Sequence, residues 1–361
     1  MLSKDGPFKL TILNFISGRN LGGSKQAFLD YSLMCAQLGH QVFSMIRTNS
    51  PLKELLHKMP PKVAENVLEL NYIRLKWPGF KQWALREFQR VTANISPEVI
   101  LVHKPIDLFF IRKTFPGAKI VAVVHSFTAR HLQHADRVFA VSEALKNYII
   151  AQGCKIPVSV INNAIEIPPV PTQERDREEP VIGTMAVFRR TKRLDLMIRS
   201  FHSLYQQGIP FRGVLAGAGI QKYYLKYLLW RFGLNRQVEL RPWVMDKEAF
   251  YRDIDIFCIS SKSETFSISL IEAMARKKAV VATSCGGPQE IIQDKIDGLL
   301  TPVGNAGALT DKFLALIKSR EDRQELAQNA YRKVCQHYST DVIKKKIDQQ
   351  LNLLVTNGRK N

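Results

Sequence analysis

No apolar run among the 361 residues reaches the about 18–20 that a membrane-spanning helix needs. The longest, such as Lys119-Ile-Val-Ala-Val-Val124, are strand-sized. The segment Met1–Phe8 lacks the apolar core of a signal peptide. Cysteine is scarce: Cys35, Cys154, Cys258, Cys285 and Cys335 are odd in number, scattered and never in C-x-x-C spacing. That pattern argues against a disulfide framework or a zinc site, and for a reducing cytoplasm. Internal repeats and low-complexity tracts are missing too, which excludes a solenoid. Acidic residues are few. Against 52 Lys and Arg stand 32 Asp and Glu, a net charge of +20 that divides evenly about residue 168. A basic surface on both halves points to polyanionic partners, whether nucleic acid, anionic lipid or phosphorylated substrates. Zinc-finger, helix-turn-helix and aromatic RNA-binding patterns do not occur, so a nucleic-acid partner is not expected and stays a remote alternative.

What is present reads as β/α alternation from end to end. Apolar runs at Lys9–Ile16, Gln41–Ile46, Val99–His103, Lys119–His125, Arg137–Val141 and Val158–Ile161 predict buried parallel strands. Ser24 is expected to cap a helix with Ala27, Phe28, Tyr31, Met34, Cys35 and Leu38 on its apolar face. Pro168-Pro-Val-Pro171 and the charge-dense run to Pro180 break the pattern and read as a linker. A second series follows at Val181–Val187, Phe211–Ala216, Val238–Leu240, Ile254–Ser260 and Ala279–Thr283. The chain is therefore expected to be α/β, with two doubly wound, Rossmann-like domains over 1–168 and 181–338, a linker at 169–180, and a C-terminal helix and tail at 339–361. In such sheets ligands bind beyond the carboxyl ends of the strands, here in a cleft between the domains.

Most chemistry is concentrated in Ser260-Ser-Lys-Ser-Glu264-Thr-Phe-Ser-Ile-Ser-Leu-Ile-Glu272, where seven residues separate two glutamates. Glu264 falls in the loop after a strand, Ser267 is a candidate N-cap, and Glu272 lies in the second turn of the helix that follows. Unpaired amides at a helix mouth suit a diphosphate, and flanking carboxylates suit the hydroxyls of a sugar or ribose. On spacing alone, a capping Glu264 and a solvated Glu272 explain the letters as well. Asp253-Ile-Asp255 has the D-x-D shape of a metal site, but it lies at the entry to a buried strand, so no metal role is expected.

The spacing Glu264-x7-Glu272, with Ala279-Val-Val-Ala-Thr-Ser-Cys-Gly286-Gly287-Pro-Gln-Glu290 after it, resembles the retaining family-4 glycosyltransferases of the GT-B fold. Gly217-Ala-Gly219, Asp294–Val303, Ile161–Glu166, Val141-Ser142 and Gly22-Gly23 are similar to further family segments in the right order. The resemblance implies that the second domain takes a nucleotide-diphospho-sugar, UDP-linked on family frequency, and the first an acceptor. It implies that Glu272 holds ribose hydroxyls and Glu264 those of the transferred sugar. Backbone amides of Thr265, Phe266 and Ser267 would face sugar and phosphate, and Lys192 would neutralise the diphosphate. Arg189 or Arg190 would stand in for an arginine that the family has near Val187. From the first domain, Gly22 and Gly23 would approach the donor phosphates, and His125 would lie near sugar and acceptor; on its own letters His125 is a structural histidine. Departures occur at Ala164, Glu166 and Asn305. No metal or redox cofactor is implied.

The acceptor implied is a hydroxyl of a glycan or glycolipid, as in lipopolysaccharide or envelope polysaccharide synthesis; a soluble sugar phosphate is the alternative. Residues 71–90 concentrate Trp77, Phe80, Trp83 and Phe88 with Arg74, Lys76, Lys81, Arg86 and Arg90. They suit either an element lying on an anionic bilayer, peripheral on the cytoplasmic face, or a core-facing helix with a basic outer side. Tyr223–Phe232 is read as a core helix.

Overall fold

The computed structural model describes residues 9–18, 23–71, 78–169 and 179–356, without the side chains of 78–81. Two compact units result, one of 1–164 with 340–361 and one of 165–339. Gly22 and most of the expected linker lie outside the described residues.

The first unit holds a seven-stranded parallel sheet of β1 (Thr11–Ile16), β2 (Gln41–Arg47), β3 (Val67–Leu70), β4 (Val99–Val102), β5 (Lys119–Val124), β6 (Arg137–Ala140) and β7 (Val158–Val160). Their order across the sheet is β3-β2-β1-β4-β5-β6-β7. Every residue of β4 is buried, as a strand covered by helices on both faces requires. The helix Gly23–Gln37 packs Phe28, Tyr31, Met34 and Cys35 inward, as its spacing predicts, but it begins at Gly23, so Ser24 lies inside it rather than at its cap. The second unit has six parallel strands, β8 (Val181–Met185), β9 (Arg212–Ala216), β10 (Val238–Arg241), β11 (Ile256–Ile259), β12 (Ala279–Thr283) and β13 (Leu299–Thr301), ordered β10-β9-β8-β11-β12-β13. Both sheets are doubly wound, as expected.

The C-terminal helix Thr340–Thr356 belongs to the first unit. Its Ile343, Ile347, Leu351 and Leu354 form one stripe at helical spacing and are buried in the same core as Phe28 and Met34. In the helix Pro78–Val91, Ala84 and Phe88 face inward, and Phe88 meets Phe15 edge-on at 5.2 Å. Arg86 and Arg90 are exposed on its other side. The described part of 71–90 is thus a core-facing helix with a basic outer face. The helix Lys222–Arg231 departs from its expected role. Leu225, Leu228 and Leu229 are buried, but Tyr223, Tyr227 and Trp230 are 82%, 53% and 67% exposed. Its leucines join the core of the second unit, which leaves the aromatic side in solvent.

Candidate active site

Each doubly wound sheet has a point where the winding reverses, and the loops leaving the two strands there diverge to open a crevice. In the second unit the reversal lies between β8 and β11. The segment after β8 passes through a 3₁₀ turn, Arg190–Lys192, and the loop after β11 carries Glu264. The sheet therefore brings together two residues 72 positions apart: Lys192 Nζ donates to Glu264 Oε1. Ser261 Oγ donates to the same oxygen at 2.7 Å, and Ser260 Oγ to the Lys192 carbonyl at 2.9 Å. An ammonium has three protons, so this one keeps donors for an anion while it holds the carboxylate.

Glu272 is 3% exposed on the helix Ile268–Met274. A buried carboxylate needs partners. Lys247 Nζ donates to Oε1 and Tyr251 Oη donates to Oε2 at 3.0 Å, both from the helix Lys247–Asp253. Burial, then the Glu272 charge, holds the Tyr251 phenol well above its ordinary range, so it remains a donor. Arg276 lies over the Tyr251 ring at 4.8 Å. Sequence reasoning missed Lys247 and Tyr251. Their one signal was a four-residue spacing after the capping Asp246, which puts both on one helix face.

The loop between the two acids is held open by glycine. Gly286 sits at φ 89°, and a β-carbon on Gly287 would fall 2.1 Å from the Phe266 carbonyl oxygen. The backbones can approach only without it: Glu264 N donates to the Cys285 carbonyl at 3.0 Å and Gly287 N to the Glu264 carbonyl at 2.9 Å. Ser267 differs from expectation. It occupies the N-cap position at φ 130° with no side-chain capping bond, a strained conformation for a serine. Phe266 turns its ring inward against Tyr338, which leaves backbone, with Thr265 and Ser267, along the loop. Arg189 and Arg190 are both exposed on the turn that carries Lys192.

In the first unit the reversal lies between β1 and β4. His103, which sequence reasoning also missed, follows β4, and His125 follows β5. A hydrogen-bonded chain runs inward: His125 Nε2 to His103 Nδ1 at 2.9 Å, His103 Nε2 to Asn14 Oδ1 at 2.9 Å, and Asn14 Nδ2 to the Phe28 carbonyl and Ser32 Oγ, both at 2.9 Å. The Asn14 amide donates to Phe28, so its oxygen faces His103 and requires a proton on His103 Nε2. His103 Nδ1 must then accept from His125 Nε2–H, which fixes both tautomers. Burial, followed by the charge of Lys104, pushes His125 down to about 3; burial and then His125 hold His103 well below the ordinary imidazole range. Both rings are neutral at pH 7. His125 is therefore anchored structurally while its far edge stands at the carboxyl end of the sheet. Gly23 is the exposed first residue of its helix.

Asp253 pairs with Arg241 at 3.1 Å, and Asp255 accepts from Val181 N at 2.8 Å at the opposite ends of the strands from Glu264. Among the described residues, no group of three or more His, Cys, Asp or Glu is placed to hold a metal. Nor is any helix among them long and apolar enough to cross a membrane.

Comparison with known proteins agrees with this geometry. Residues 171–333 match the family described as Glycosyl transferases group 1, and residues 21–167 match Glycosyltransferase Family 4. Two such units with acids and lysines at the strand ends define a glycosyltransferase of the GT-B type. The chain belongs to the family-4 glycosyltransferases. It is 22% identical to the lipopolysaccharide core biosynthesis glycosyltransferase LpsE of Rhizobium meliloti (strain 1021), over 96% of this chain and 99% of that protein. It is 26% identical to the poly(ribitol-phosphate) alpha-N-acetylglucosaminyltransferase of Staphylococcus aureus (strain COL), over 60% of this chain and 43% of that protein, and so spans less than half of the latter. Among solved structures, Anabaena HepE in complex with UDP-glucose shares the fold at a TM-score of 0.80, with 18% identity over 95% of this chain and 99% of that one. The lipopolysaccharide outer core galactosyltransferase WaaB shares it at 0.74, with 16% identity over 97% and 100%.

Proposed function

We propose that the protein transfers a sugar, with retention of anomeric configuration and without a metal, from a UDP-linked donor to a hydroxyl of an envelope glycan or glycolipid. It would work in the cytoplasm or peripherally on the inner membrane face. The observation that carries this reading is the Lys192–Glu264 pair at the reversal point of the second sheet, one short helix from the buried Glu272. Glu272, oriented by Lys247 and Tyr251, accepts hydrogen bonds from ribose hydroxyls. Glu264 accepts them from the transferred sugar. Lys192, with Arg189 or Arg190 and the Thr265–Ser267 backbone, faces the diphosphate. Negative charge gathers on that diphosphate as the glycosidic bond breaks, and fixed cations aimed at it lower the barrier. The departing oxygen takes the proton of the acceptor hydroxyl, so no protein nucleophile is needed. His125, neutral and held by His103, offers a fixed polar edge to the sugar or acceptor. The relatives' names, concerned with the lipopolysaccharide core and poly(ribitol-phosphate), support an envelope acceptor.

The test is slow donor hydrolysis over a panel of UDP-, GDP- and ADP-sugars with EDTA present, and the anomer released read by proton NMR. Glu264→Gln and Lys192→Ala are each expected to lower the rate at least ~10²-fold, the scale of removing one electrostatic stabiliser, with the far-UV circular dichroism unchanged. Undiminished hydrolysis in both variants, or a requirement for metal, overturns the assignment.

A further inference from the structure

Lys25 is the third residue of the helix Gly23–Gln37, and it is 2% exposed. Among the described residues its Nζ has no hydrogen-bond partner. A buried ammonium without a counter-charge is costly, and ordinarily such a group is paired or replaced. Here a second cation stands beside it. A β-carbon built on Gly18, just beyond β1, would lie 3.3 Å from the Cε of both Lys25 and Lys104 and 3.8 Å from Lys104 Nζ. Both lysine arms therefore converge over one glycine. Gly18 follows β1 and Lys104 follows β4, so the pair occupies the reversal point of the first sheet, where a doubly wound sheet takes a ligand. Lys104 also lowers the pKa of His125, which puts the pair close to that histidine.

We propose that Lys25 and Lys104 form an anion site for a phosphate or carboxylate group carried by the acceptor. The inference rests on the reading of the first unit as the acceptor side, and makes that acceptor an anionic one. Burial and then Lys104 bring the Lys25 amine down to about 8, so it is still mostly protonated at pH 7 and ready to pair. An arriving anion supplies the missing partner to both ammonium groups. A neutral acceptor would leave them facing each other.

The test uses the full chain labelled at lysine Cε with carbon-13, with the Lys25 signal assigned through Lys25→Met. Inorganic phosphate, or glucose 6-phosphate, is expected to raise the Lys25 titration midpoint by at least one pH unit, and Lys104→Gln to weaken that response tenfold or more. A Lys25 midpoint that phosphate does not move, or moves equally in Lys104→Gln, overturns the proposal. UDP added alone should leave the signal in place. If UDP shifts it and competes with phosphate, the pair serves the donor's diphosphate and the acceptor assignment falls. Because phosphate reports without nucleotide, failure of donor hydrolysis with an intact phosphate response would count against the proposed reaction alone.

A second, independent observation lies on the outer side of the helix Lys222–Arg231. Ile220, Tyr223, Tyr227 and Trp230 are exposed, with Lys222, Lys226 and Arg231 exposed among them. No acidic residue occurs between Gly217 and Val238. Aromatic rings with polar edges, interleaved with cations and free of acids, match an anionic bilayer surface at headgroup depth. We infer that this face docks on anionic lipid. The protein should co-sediment with vesicles containing 40 mol% phosphatidylglycerol. Tyr223→Ser/Trp230→Ser should weaken that binding at least tenfold, as should uncharged phosphatidylcholine vesicles. Equal binding by the variant, or a vesicle-free dimer that the variant abolishes, overturns it; the latter would make a second copy the occupant.

Discussion

The buried histidine pair makes the first unit sensitive to acid in a calculable way. In the unfolded chain His103 and His125 titrate near 6.5; in the folded unit burial holds one well below that value and the other at about 3. Between these values the unfolded state binds more protons, so stability is full above pH 6.5 and falls as the pH drops towards the folded pKa. From pH 6.5 to 4.5 the His125 imidazole removes about 2.3 kcal/mol, and His103 removes stability in the same direction. Even the His125 share is a sizeable part of the whole stability of a small domain, about 5–15 kcal/mol. The assay is native-state hydrogen exchange by mass spectrometry at the two pH values, corrected for intrinsic rates. Peptides covering β4 and β5 report on the first unit, and those covering β11 and β12 serve as the internal control. The strands next to the histidines should lose protection by at least this much, and His103→Gln should recover part of the loss. Equal losses in both units, or a variant that behaves as wild type, refute the reasoning.

Tyr251→Phe removes one donor from the buried Glu272 carboxylate and should weaken UDP-sugar binding about fivefold, with about 1–2 kcal/mol lost in denaturant unfolding. Gly287→Ala places a β-carbon within bonding range of Phe266; it should abolish donor hydrolysis and lower the melting temperature, since neither backbone can give way without breaking the Glu264 contacts. Leu351→Ala empties a fully buried position of the C-terminal helix and should cost about 2–5 kcal/mol, read as faster exchange in β1 and β2 rather than in β11 and β12. Lys192→Met combined with Glu264→Gln should reduce hydrolysis by far less than the product of the single effects, because the two side chains act as one bonded unit.

Where a run of letters has a single physical explanation, the sequence was readable. Ile343, Ile347, Leu351 and Leu354 can only be a helix stripe, and the Val- and Ile-rich runs of β4 and β5 can only be buried strands. The short strands β3 (Val-Leu-Glu-Leu) and β13 (Leu-Leu-Thr) passed unnoticed, because three or four residues give too little alternation to separate strand from loop. The Glu264–Glu272 loop was recognised through the spacing of its two acids together with the Ala279–Glu290 segment after them, and the close approach of Gly287 to Phe266 is the physical reason a glycine stands there. Lys247 and Tyr251 showed only their four-residue spacing, because they meet Glu272 across two helices, a tertiary fact that such spacing does not encode. Lys25 and Lys104 were hidden in the same way by 79 residues of chain. The face of the Lys222–Arg231 helix was misread for another reason. Tyrosine and tryptophan count as apolar, yet Leu225, Leu228 and Leu229 already complete the inward stripe, and a helical projection puts Tyr223, Tyr227 and Trp230 away from it.

The two reversal points use lysine in opposite electrostatic states. Lys192 and Lys247 each have a glutamate partner, so in the absence of any ligand their charges are already compensated and the carboxylates already aimed. A ligand that arrives there meets a prearranged surface and need only share an ammonium that is held in place. Among the described residues Lys25 has no such partner, and burial and then Lys104 depress its pKa, so keeping it charged is costly. Such a group gains most from an incoming anion, because binding removes a penalty as well as adding an attraction. A site of the first kind holds its geometry whether full or empty. A site of the second kind discriminates, since a ligand without the negative charge leaves the penalty in place. On the proposed function, the Lys192–Glu264 side would set reactivity and the Lys25–Lys104 side the choice of acceptor.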